Sequence, residues 1–290
     1  NTTVIDNNRI SNGQTGLAVA GSSAVDISSN QFTNNTYQTA DYTGELNSSE
    51  LSDQNSYDRA TYITNDAGES VDGTVYADIR LAVGSASSGD TVLVEPGNYN
   101  ESVEISTQNV TLTSTAEAAN TEIEYDGSGR APTINIVSSN VTVDGFTIER
   151  IDGDANSQGV AIRATEDVTV ENNVITQSGG ARPTQGILVT DSGGDRPSTT
   201  DATIGGNTIT GFGQGIAIST QNTNDDEGGI VFTLIAENTI RDNTIGINVS
   251  DFADTNHELT ARDERNDISS NEHGLKVLDD GDAGPAGTEQ

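Results

Sequence analysis

The feature that most constrains this chain is a phrase that recurs five times between Val141 and Val277. Its first half places an isoleucine two positions after an Asn or Phe: Phe146-Thr147-Ile148, Asn173-Val174-Ile175, Asn207-Thr208-Ile209, Asn238-Thr239-Ile240 and Asn266-Asp267-Ile268. Its second half is a Gly followed by aliphatics: Gly159-Val160 with Ile162, Gly186-Ile187 with Val189, Gly215-Ile216 with Ile218, Gly246-Ile247 with Val249, and Gly274-Leu275 with Val277. A period of about 30 residues belongs to solenoids and arrays. Inside each period the apolar residues alternate with polar ones, as in Val168-Thr169-Val170, which is the two-residue period of strands.

One period is shorter than a propeller blade of roughly 40 residues but suits a coil of three short strands and their bends. The repeated Asn fits, because it tolerates left-handed backbone and its amide can hydrogen-bond its copy one coil away. The expected fold is all-β, a right-handed parallel β-helix. The competing reading, an irregular β-sandwich with Asn-rich turns, gives no reason for the phase to persist across loops of unequal length.

The chain divides unevenly around that repeat. Residues 1–36 read as terminal coils of a β-helix, of the same or a preceding unit, with Ile5, Ile10, Gly16-Leu17 and Phe32 in phase. Residues 37–72 lose the rhythm and read as a linker or long excursion. Residues 73–278 form a capped β-helix, opened by a short helix near 76–84 whose Ile79, Ala82 and Val83 share one face. Residues 279–290 are an acidic flexible tail or linker. Coils without a start at residues 1–36 expose a strand edge, so a neighbouring unit is expected to stack there.

After that helix comes Gly89-Asp90-Thr91-Val92-Leu93-Val94-Glu95-Pro96-Gly97-Asn98-Tyr99-Asn100-Glu101. This opening resembles that of the pectin-lyase-like β-helices, including pectin methylesterases and NosD-type proteins. Residues 141–277 resemble the repeats of their carbohydrate-binding and sugar-hydrolase group. The resemblance implies the fold; activity requires further phrases. The Gln-Asp and Leu-Gly-Arg-Pro-Trp phrases of the methylesterases do not occur, and the chain has no Trp. Polygalacturonase phrases reduce to Asn222-Thr223-Asn224-Asp225-Asp226 and Glu272-His273-Gly274, and lyase phrases to Arg182-Pro183 and Arg196-Pro197.

Charge narrows the setting. Forty-five acids against twelve bases give a formal net charge of -33, and Lys276 is the sole lysine. Such a charge argues against nucleic acid and anionic membranes as partners. Molar salt, which screens charges within about 3 Å, would relieve the self-repulsion. The composition resembles that of extracellular haloarchaeal proteins, so the expected location is extracellular, on a cell or virion surface in high salt. Without Cys there is neither disulfide nor thiolate metal site. No apolar run of 18 residues exists for direct membrane insertion.

Candidate sites lie in acidic loops. Asp225, Asp226 and Glu227, with Asp191 and Asp195 on the neighbouring loop, could supply the acid and base of glycoside cleavage; an adapted acidic surface is the competing reading. Asp152, Asp154 and Asn156 alternate as calcium ligands do, although Ser157 replaces the usual Gly and Arg163 the closing Glu; a solvated turn competes. No other cofactor is indicated. Sequons at Asn47, Asn109, Asn140, Asn34, Asn100 and Asn248 are expected glycosylation sites outside a cell, besides that at Asn1.

Two function classes compete. One is a structural or adhesive surface module, a fibre, spike or adhesin subunit that binds surface polysaccharide and stacks end to end on other copies or neighbouring β-helix units. The other is a polysaccharide lyase or glycoside hydrolase acting through an acidic loop. The missing phrases favour the non-catalytic module.

Overall fold

The computed structural model describes residues 2–21, 24–71, 73–127, 130–151, 157–163, 165–179, 184–191, 199–219, 230–251, 257–261 and 266–279. Within them the chain is a parallel β-solenoid of about seven turns. Each turn is three short strands, because each alternating aliphatic pair needs its own strand to face inward. Seven coils run from Thr91–Val94, Gly97–Asn100 and Val103–Ile105 to His257–Ala261, Asp267–Ser269 and His273–Asp279. Corresponding strands pair in parallel, so three sheets wall the solenoid, here termed its first, second and third faces.

In-register pairing stacks like on like. Ile123, Ile148, Ile175, Ile209 and Ile240 form one inward column on the second face. Ile134, Val160, Ile187, Ile216 and Ile247 form another on the third. All are at most 3% exposed, and burying each such side chain contributes about 1.5–3 kcal/mol. Phe146, at the first Asn position of the repeat, is fully buried as a packing residue.

The bends turn on left-handed residues. Asn172 (φ 55), Gly206 (φ 65) and Glu237 (φ 59) each precede a repeated Asn. Those asparagines form a buried ladder. Asn207 Oδ1 accepts the Asn173 N–H at 3.0 Å, while Asn207 Nδ2 donates to Val170 O at 2.8 Å and to Asn238 Oδ1 at 3.1 Å. Asn238 repeats the pattern onto Asn266. A second ladder runs at the next bend, where Asn243 accepts from Phe212 N–H and donates its own N–H to Asn271 Oδ1.

The segment preceding the seven coils is a smaller two-coil unit. Thr3–Asp6 pairs with Val25–Ser28, Arg9–Ser11 with Gln31–Thr33, and Thr15–Val19 with Tyr37–Asp41, all in parallel. Residues 37–72, read as a linker or excursion, carry that last strand, helix α1 (Ser48–Gln54) and the strands Ser56–Tyr57 and Thr61–Thr64. Tyr57 stacks on Phe32 at 5.1 Å, and Leu51 of α1 joins the same small core. Two antiparallel strands then join the units: Tyr37–Asp41 pairs with Val75–Tyr76, and Thr61–Thr64 lies against the first coil's Thr91–Val94.

Helix α2 (Ile79–Ser85) closes the start of the seven coils with Ile79, Ala82 and Val83 in the main core. The Gly-x-Tyr-x-Glu phrase builds this cap. Tyr99 Oη bonds the Ala60 and Glu95 carbonyls. The Glu101 carboxylate accepts the Ile79 and Arg80 N–H groups at 2.8 and 2.9 Å, doing the work that the Asp78 side chain leaves undone at the N-cap. Burial pushes the Glu101 carboxyl up, and these two N–H bonds oppose the shift. Glu101→Ala is expected to cost about 1–2 kcal/mol in denaturant unfolding, and Glu101→Gln, which keeps one acceptor, less.

Candidate functional site

Alternation in Thr121-Glu122-Ile123-Glu124-Tyr125 sends Ile123 inward and both glutamates out onto the second face. Glu149, on the strand Thr147–Ile151, stands in register with Glu124 one coil on. Carboxylate oxygens of Glu122, Glu124 and Glu149 all lie within 4.8 Å of one another, and all three residues are half-buried. Asn98, one coil before, donates to Glu122 Oε2 at 3.2 Å.

Desolvation, then the contact with Glu149, pushes the Glu122 carboxyl above its ordinary range. Three converging carboxylates can share a proton or hold a divalent cation. Arg150, beside Glu149 in sequence, is fully buried, donates to the Tyr125 and Gly127 carbonyls at 2.7 and 2.8 Å, and lies 4.7 Å over the Tyr125 ring.

The raised carboxyl fixes a pH dependence. It holds its proton more tightly folded than unfolded, so its contribution to stability falls as pH climbs from the usual carboxylate range through the raised value. Glu149→Gln is expected to flatten that fall. At neutral pH and low salt it should raise stability by a few tenths of a kcal/mol, as relief of facing like charges does. Molar salt should erase the gain. Urea unfolding across pH 4–8 measures both effects.

The sequence candidates separate. Asp191 follows the third-face strand Gln185–Thr190 and is buried at 6% exposure. Asp195, Asp225, Asp226 and Glu227 lie outside the described residues, as do the calcium candidates Asp152, Asp154 and Asn156. Asn34, Asn100, Asn109 and Asn140 are exposed, and Asn47 is half-buried with its Oδ1 capping α1. Asn248 differs: it sits within the strand Ile245–Asp251 at 6% exposure, 3.4 Å from Gln214 Oε1, so the folded strand does not offer it to a glycan.

The glutamate trio escaped sequence reasoning. Its one local signal, the Glu-x-Glu alternation at 122–124, does not say which residue of the next coil stands opposite. That depends on how much chain the bend between the strands consumes.

Residues 108–279 match the sequence profile of a family described as a protein of unknown function, DUF1565. That is more than half of the chain. The chain belongs to this family. The DUF1565 family is a right-handed β-helix family, and the matched stretch spans the second to seventh coils, with the trio and the main ladders inside it. The two-coil unit, α2 and the first coil precede it. No curated protein matches the chain in sequence. Among solved structures, that of a pectin methylesterase mutant in complex with a hexasaccharide is similar, at 10% identity and a TM-score of 0.37, over 71% of this chain and 89% of that one.

Proposed function

We propose that this DUF1565 protein is a rigid structural or adhesive module that works outside the cell in high salt and holds surface polysaccharide along its wall. The observation that carries this reading is the second face. Its outward residues run in register from Asn98 through Glu122, Thr147, Val174, Thr208 and Thr239 to Asp267, a row that is polar on every coil but the fourth, where Val174 stands, on a backbone locked by buried asparagines. Strand spacing of about 4.8 Å repeats along such a row, which suits a long polymer more than a single small molecule. The net charge of -33 supports a high-salt setting, where screening leaves carboxylates and hydroxyls free to bond sugars.

The test is retention of neutral and acidic polysaccharides on immobilised protein in molar salt, with release of reducing sugar or unsaturated product followed in parallel. Retention without turnover, weakened by Thr208→Arg on the row, is the expected result. Turnover abolished by Asp191→Ala or Glu122→Gln would replace this reading with a polysaccharide lyase or hydrolase.

A further inference from the structure

We propose that the seventh coil of one molecule receives the opening coil (residues 3–19) of the two-coil unit of a second copy, head to tail, as the next turn of one continuous solenoid. This goes beyond the surface-module reading and does not rest on it, since a catalytic solenoid could stack in the same way.

The two coils carry one phrase. Asn8-Arg9-Ile10-Ser11 and Gly16-Leu17-Ala18-Val19 match Asn266-Asp267-Ile268-Ser269 and Gly274-Leu275-Lys276-Val277 in Asn, Ile, Ser, Gly, Leu and Val at equal spacing. The bends match as well, with left-handed Asn12 (φ 64) where the other has Ser270 (φ 56). Within its own chain the two-coil unit is not the in-phase continuation of the main solenoid: its third strand meets Val75–Tyr76 antiparallel and leads into the first face.

Each edge presents what the other needs. Ile268, Leu275 and Val277 are 37, 57 and 62% exposed, although they continue columns in which Ile240, Ile247 and Val249 are buried. Ile10 and Leu17 are only partly buried against the small core. The ladder runs with one polarity: Asn8 N–H donates to Asn30 Oδ1, as Asn238 N–H does to Asn266 Oδ1. Among the described residues the Asn266 N–H has no acceptor and Asn8 Oδ1 no donor, and stacking would pair the two. The second ladder stops at the joint, because Gly13 stands where Asn271 would need an Oδ1. On the outer wall Asp267 falls opposite Arg9, an attractive cross-strand pair.

The cysteine-free chain permits a direct test. Ser11 and Ser269, both exposed, become register partners in the stack. Neighbouring strands hold such partners about 5 Å apart at Cα, within disulfide range. The Ser11→Cys/Ser269→Cys double variant, oxidised in molar salt, should give a ladder of linked oligomers on denaturing gels, and each single variant at most traces of dimer. Sedimentation of the wild type should show association that grows with salt as the charge is screened. Asp267→Arg should weaken it roughly three- to tenfold, and adding Arg9→Asp to the same chain should restore it. A folded double variant that forms no ladder, with a wild type monomeric at every salt concentration, would overturn the proposal. So would a Ser269→Cys single variant that cross-links as efficiently as the double, which would mean symmetric contact of two seventh coils.

Discussion

Asn207→Ala is expected to destabilise the protein by about 3–5 kcal/mol, because the substitution strands several buried groups together. Asn207 Oδ1 accepts from the Asn173 backbone and side chain, and its Nδ2 satisfies Val170 O and Asn238 Oδ1. Asn207 is 1% exposed, so water cannot replace those partners without opening the bend. Each orphaned buried donor or acceptor costs about 1–3 kcal/mol. Asn207→Asp should be no milder: it restores the acceptor but sets a buried carboxylate against Val170 O and Asn238 Oδ1. The control is Asn8→Ala, at the exposed end of the shorter ladder, expected within about 1 kcal/mol of wild type. Guanidinium unfolding followed by circular dichroism measures the series. A loss below about 1 kcal/mol for Asn207→Ala would show that the ladder is ornamental and that the aliphatic columns alone hold the coils.

Gly186→Ala is expected to cost about 3 kcal/mol, for a reason unrelated to backbone conformation. A methyl at this position would meet Gly215 O at 2.5 Å and Ile209 Cγ2 at 2.6 Å, with Phe212 Cδ2 at 3.2 Å. The first of these is backbone of the next coil and cannot swing aside, so the coils must part locally, and overpacking of this kind typically costs about 1–3 kcal/mol, occasionally more. Gly159, Gly215 and Gly246 face the same contact with the following coil's carbonyl, at 2.8, 2.7 and 2.5 Å. The matched control is Gly205→Ala, where the nearest atom would be Ala236 O at 3.8 Å; it should stay within about 0.5 kcal/mol. Equal melting shifts for Gly186→Ala and Gly205→Ala would refute the close-approach explanation for the glycine column.

By itself the sequence determined the repeating unit. The Asn-x-Ile and Gly-Ile-x-Ile phrases carry an alternation that only strands can bury, and their near-constant spacing leaves stacked coils as the way to satisfy them all. The helix Ile79–Ser85 and its buried face were readable for the same local reason. Gly186 and its equivalents were visible as a column, while the carbonyl that demands them was not.

Only the tertiary structure decided what lies opposite what. The Glu122, Glu124 and Glu149 cluster, the Glu101 cap on a helix some twenty residues earlier, and the antiparallel strands joining the two solenoid units are all contacts between residues distant along the chain. Outward residues carry no periodic signature, because solvent accepts any polar side chain. Their pairing is set by the length of chain each bend consumes, and parallel or antiparallel meeting at an edge depends on which strand arrives there. The inward pattern is a property of single strands and is written locally. The wall and the joint are properties of the stack.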